Sequence, residues 1–136
     1  MPAHPTLRLA PSRICWHAPV QRNLFDTPKA MNDIDLAREA ARRIVAKVSP
    51  QAVYWFGSRA EGCGAPDSDF DLFVVLDDHA DASASQGLLR RELTGLPAAF
   101  DIVTANLGPW LRWAAVPATL EHRVAAHGVQ LYAAHR

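Results

Sequence analysis

The chain is poor in the features that mark compartments and bulk partners. Only two of its 136 residues are cysteine. Cys15 and Cys63 form neither a repeated pair nor a metal-ligand spacing, so the expected compartment is reducing and cytoplasmic. No run approaches the roughly 18 apolar residues of a membrane span, and no apolar h-region marks a secretory signal. Charge of one sign is lacking too. Fourteen Lys and Arg balance 14 Asp and Glu, so bulk electrostatics argue for neither a membrane nor direct nucleic-acid binding. The six histidines do not gather. His4 and His17 lie near the start and His135 at the tail, while His122 and His127 are five apart and share no helix face. No internal repeat stands out.

What is present falls into two unequal parts. Residues 1–31 hold half of the prolines (Pro2, Pro5, Pro11, Pro19, Pro28), with hydrophobic residues scattered without period. They read as a flexible N-terminal extension. Arg8, Arg13, Arg22 and Lys29 face only Asp26 there, a net of +3, so in a neutral chain the remainder carries −3. Residues 32–136 read as one domain, with enough apolar content for a single modest core.

Within the domain, Ile34, Ala37, Ala41, Ile44, Val45 and Val48 recur at helical spacing. Asn32 or Asp33 suits the N-cap, and Ser49-Pro50 ends the helix. Val53–Phe56 is an apolar strand. Ser58–Glu61 is expected to turn into a short helix, and a loop from Gly62 to Pro66 leads to a second strand, Phe70–Leu76. Leu88, Leu89, Leu93 and Leu96 mark a second helix starting near Ala82. Ala99–Thr104 is a third strand. Asn106 suits the cap of a helical turn containing Trp110, Leu111 and Trp113. Pro117 suits the first turn of a last helix, which Gly128 would cap. Val129–Tyr132 fits a final strand or an extended tail. The fold class predicted is α/β (α+β), a small mixed sheet with helices mainly on one face.

The costly feature is a pair of aspartates at the head of the apolar second strand, since burying a carboxylate demands a cationic partner. Asp69 and Asp71 are two apart and share a face of that strand. Oxygen-only ligands suit a hard divalent cation such as Mg²⁺, which keeps waters and borrows phosphate oxygens. Asp101, in the third strand, completes the set if its strand lies beside that of Asp69 and Asp71. Gly57-Ser58 sits where a strand is expected to give way to a helix: glycine admits a ligand close to the backbone, and helix N-terminal N–H groups and the Ser58 hydroxyl offer donors to phosphate. Arg59 adds a nearby cation, and equally suits an exposed residue pairing with Glu61 or Asp67. A blander account leaves Asp69 and Asp71 as solvated strand caps. The coincidence of Gly57-Ser58 upstream and Asp101 downstream favours a site. Nothing places a base beside Cys63, so nucleophilic catalysis there is not expected. Trp110 and Trp113 suit a core or groove if covered, and a protein interface if exposed.

Gly57-Ser58-Arg59-Ala60-x-Gly62, followed by Ser68-Asp69-Phe70-Asp71-Leu72, resembles the signature of the DNA polymerase β-like nucleotidyltransferase superfamily. The shortness of the chain points to its minimal nucleotidyltransferase (MNT) branch, and the likeness covers about residues 32–132. The resemblance implies that Asp69 and Asp71 bind one or two Mg²⁺ ions and the triphosphate, with Asp101 completing the metal site and helping to deprotonate the attacking hydroxyl. It places Gly57 and Ser58, with Arg59 and Ser68, about the nucleotide. Glu61 departs from the pattern, since similar proteins often carry a basic residue there.

By the same likeness, AMP is moved from ATP to a hydroxyl on a partner protein. The expected partner is a helical HEPN-type toxin to which this chain is the antitoxin, because larger relatives carry an acceptor domain for which this chain has no room. Two rival expectations remain. One is a catalytically weak module that neutralises its partner by contact. The other is a small-molecule nucleotidyltransferase of the aminoglycoside type.

Overall fold

The computed structural model describes residues 32–64 and 68–135. The flexible extension expected over residues 1–31 and the proposed Asp67 pairing lie outside the described residues. The sheet has four strands in the order β3-β2-β1-β4: β1 (Ala52–Phe56), β2 (Phe70–Leu76), β3 (Phe100–Asn106) and β4 (Val129–Ala133). β1 runs antiparallel to β2 and to β4. β2 and β3 are parallel, a pairing that demands a long crossover. Helix α2 (Ala82–Glu92) supplies it.

Helix α1 (Asp33–Val48) begins on Asn32, whose side-chain oxygen accepts the Asp35 N–H at 3.0 Å. Of the two expected caps, the fold uses this one. Asp33 and Asp35 in the first turn and Lys47 in the last oppose the helix dipole. The helix ends at Ser49, in the left-handed region at φ 47°, just before Pro50. Its Leu36, Ala37, Ala40, Ala41 and Ile44 are buried.

β2 is covered on both sides, and Leu72 through Leu76 are all buried. Buried strands of this kind read as continuous apolar runs, as this one does. Its alternation still sorts two cores. Phe70, Leu72, Val74 and Leu76 pack with α1, α2, Val53, Trp55 and Ile102. Phe73 and Val75 pack with Ala52, Trp110 and Val124. Each fully buried phenylalanine or leucine in these cores contributes about 1.5–3 kcal/mol.

Trp110 belongs to α3 (Leu107–Ala114) and Val124 to α4 (Leu120–His127). The two longer helices therefore lie on one face of the sheet, as expected. Two short ones cover part of the other face, which the sequence pattern did not place. Trp110 is the reason α3 sits there: its ring lies 5.2 Å from Tyr54 and 4.9 Å from Phe73. Trp113, on the same helix, stays exposed.

Two caps differ from expectation. Asn106 precedes α3 but makes no side-chain cap. Its Nδ2 donates instead to the carbonyls of Asp77 at 2.7 Å and Ala80 at 2.9 Å, pinning the loop after β2. Asp78 Oδ1, from that loop, accepts the Gly108 N–H at 2.8 Å. α4 begins at Leu120 and not at Pro117, because the Thr119 hydroxyl accepts the His122 N–H at 3.0 Å. Gly128 does cap α4, donating its N–H to Val124 O at 2.8 Å. It is extended, at φ −73°, because the chain runs straight into β4, which settles Val129–Tyr132 as a strand. Among the described residues no helix is long and apolar enough to cross a membrane.

Candidate active site

The site lies where β1 ends and β2 begins. Register places Phe56 opposite Asp71, so the next residue, Gly57, meets the Asp71 side chain. A Cβ added at Gly57 would overlap Asp71 Oδ2. Gly57 also has φ +91°, a region in which an L side chain is strained. Position and space both call for glycine.

The turn after it is not the expected helix. Ser58 O accepts the Glu61 N–H at 3.2 Å and the Cys63 N–H at 2.8 Å, and Gly62 at φ +82° redirects the chain. Four residues bracketed by two positive-φ glycines make hydrogen-bonded turns but are too few to repay helix nucleation. The Ser58 side chain is exposed beside these turns.

Asp71 and Asp101 are partners in the β2–β3 register. Asp71 has the parity of Phe73 and Val75, so it faces the side covered by α3 and α4. Asp101 has the parity of Val103 and Ala105, which pack on that same side. Asp69 lies two residues before Asp71, just outside the strand. Burial, then the charge of Asp101, then that of Asp69 push the Asp71 carboxyl above its ordinary value. Both neighbouring acids thus act on Asp71 through space.

They are not drawn into a closed cage. Among the described residues, no group of three or more His, Cys, Asp and Glu is placed to hold a metal ion. Asp101, half exposed, lies 3.6 Å from Arg90 of α2. Neighbouring strands stand nearly 5 Å apart, and like charges spread unless a cation gathers them. The donor set, all carboxylate oxygen on one face, suits a hard divalent cation such as Mg²⁺.

Arg59 does not point to open solvent as a spare cation. Its Nη1 donates to Ser68 O at 2.8 Å and its Nη2 to Asp33 Oδ1 at 3.2 Å. Its guanidinium lies 4.5 Å from the Phe70 ring centroid, and the side chain is only 15% exposed. It ties the start of α1 to the entry of β2. Ser68 sits in this knot beside Gly64, where an added Cβ would lie 2.6 Å from Ser68 Oγ.

One part of the neighbourhood went unread in the sequence. Phe56, Gly57, Glu61, Leu120, Arg123, His127 and Gly128 line a cavity of about 150 Å³. Arg123 and His127 are four apart and share a face of α4. That spacing was the available signal, but it gains meaning only once α4 is placed over the end of β1.

The nucleotidyltransferase domain family model matches residues 31–125. No curated protein sequence matches the chain significantly. Among solved structures, the chain is similar to one described as a toxin–antitoxin with AMP-PNP, at TM-score 0.53 and 23% identity over 71% of this chain and 73% of that one. It is also similar to a mutant of the toxin–antitoxin MntA-HpeT, at TM-score 0.52 and 20% identity over the same shares. These likenesses show a shared fold. Because the family model spans most of its length, from Met31 through Asp69, Asp71 and Asp101 to α4, the chain belongs to the nucleotidyltransferase domain family.

Proposed function

We propose that the chain transfers AMP from ATP to a hydroxyl on a partner protein, as the antitoxin of an MNT/HEPN-type pair. The observation that carries this reading is the contact of Asp71 with Gly57 beside the in-register Asp101, in a chain of the nucleotidyltransferase family. Carboxylates and a glycine turn at one point are what a triphosphate with its cation requires. That both similar structures are described as toxin–antitoxin, and one as holding AMP-PNP, supports a toxin partner and an adenine donor.

In this reading Asp69, Asp71 and Asp101 hold one or two Mg²⁺ ions, which would neutralise charge developing on the phosphates. The backbone of the Gly57-Ser58 turn, the Ser58 hydroxyl and Ser68 orient the triphosphate. The acceptor oxygen attacks the α-phosphorus, forming a new P–O bond as the bond from the α-phosphorus to the bridging oxygen breaks. Pyrophosphate leaves, and the hydroxyl proton passes to the Asp101 carboxylate. Positioning and charge neutralisation supply most of the rate.

The test is incubation with ATP labelled at the α-phosphate, Mg²⁺ and the product of the adjacent reading frame. Label is expected on the partner, and Asp69→Ala with Asp71→Ala should remove it. Transfer that survives the double substitution would sink the site assignment. Tight binding of the partner with no labelling at all would favour neutralisation by contact.

A further inference from the structure

The site as described has acids in plenty and few cations to meet a polyphosphate. Asp69, Asp71 and Asp101 are negative, and Glu61 adds a fourth carboxylate on the cavity wall. Arg59, the basic residue nearest the turn in sequence, is engaged with Asp33, Ser68 O and the Phe70 ring. A triphosphate set against this field needs protein cations besides any metal.

We propose that Arg123, with His127 beside it as a second N–H donor, forms the phosphate-binding wall of the site and holds the β- and γ-phosphates of the nucleoside triphosphate. This rests on the nucleotidyl-transfer reading and extends it to residues outside the acid and glycine motifs. Both side chains line the cavity that Gly57 also lines, and Gly57 is the residue packed against Asp71. They project from a helix whose placement is fixed. Val124, between them, is fully buried, Thr119 caps the start, and the Gly128 N–H closes the end on Val124 O. Phe56 and Leu120 give the cavity apolar walls, and a charge pair against such walls is stronger than one in open water. Arginine presents a planar fork that matches phosphate oxygens.

Calorimetry on the full chain with Mg²⁺ tests this, using AMP-PNP, inorganic pyrophosphate and AMP as probes. Arg123→Gln with His127→Gln should weaken AMP-PNP and pyrophosphate at least about tenfold, the loss expected of charged hydrogen bonds. AMP should change by less than about twofold, because it lacks the phosphates concerned. Arg123→Lys, which keeps the charge, should recover part of the loss, and both side chains are exposed enough to be replaced without unfolding. If the double variant binds AMP-PNP and pyrophosphate like the wild type, the inference is wrong while the transfer reading stands. If AMP loses as much as AMP-PNP, the wall serves the nucleoside end and the inference again fails. If the wild type binds AMP-PNP no more tightly than AMP, the triphosphate reading falls and takes the inference with it.

Discussion

Asp71 is held between two demands. Its strand delivers it to a half-buried position, where desolvation and two neighbouring acids oppose its charge. Its folded pKa therefore lies above its ordinary value. For a raised acid, the favourable contribution to stability is complete below the unfolded pKa and is lost as pH rises through the folded one. Asp71→Asn removes that loss. At neutral pH the variant should be more stable than the wild type by roughly 0.5–1 kcal/mol, the discounted worth of a partly solvated charge interaction. The gap should close as pH falls through the raised folded pKa and below the ordinary aspartate value, where the carboxyl is protonated in both states. Urea unfolding at stepped pH measures this directly. A gap that widens on acidification would mean that the carboxylate is stabilised in place, contrary to the repulsion described. A residue whose charge costs stability in the free protein is poised to gain from a cation, as functional groups often are.

At the scale of elements, Arg59 decides how the site is supported. It lies in the motif segment but reaches back to Asp33 at the start of α1 and forward to Ser68 before β2. Arg59→Ala should destabilise the fold by about 1–3 kcal/mol, since it strands the Ser68 carbonyl and removes a largely buried cation over Phe70. Asp33→Asn should cost less, because the Asp33 side chain is 47% exposed. Denaturant midpoints for the two variants check the order. Undiminished stability in Arg59→Ala, with nucleotide affinity lost, would return Arg59 to the phosphate role.

The same residue marks what could be read in advance. Apolar runs and periodicity carried the first two helices and the strands, because those signals are local. The neighbour relation of Asp71 and Asp101 followed from one strand lying beside the other. Arg59 bonding across 26 residues and Asn106 across 29 are contacts that no local pattern encodes. The turn at Ser58 looked like a helix start because its first residues suit one. Two positive-φ glycines stopped it.

For the whole molecule, the open question is where an acceptor would approach. Leu111, Trp113, Val116 and Leu120 are exposed at 60%, 43%, 39% and 42%, all along α3, the start of α4 and the link between them. Exposed apolar side chains mark interaction sites where they gather, and tryptophan is enriched where binding energy concentrates. Leu120 also lines the cavity beside Gly57, so one of these exposed residues stands at the edge of the candidate site. A protein covering them would bring its own side chains close to that edge. Trp110 instead fills the core, so the two tryptophans of α3 divide between packing and surface. Leu111→Ser with Trp113→Ser should therefore leave the fold intact, with stability changed by no more than about 0.5 kcal/mol, as for exposed substitutions generally. AMP-PNP affinity should stay within about twofold of the wild type, since neither side chain lines the cavity. Transfer of label to the partner should fall at least about tenfold, the consequence of truncating an aromatic anchor. A double variant that labels its partner at the wild-type rate would show that the acceptor reaches the acids from another side of the sheet, leaving these exposed side chains without a part in the reaction.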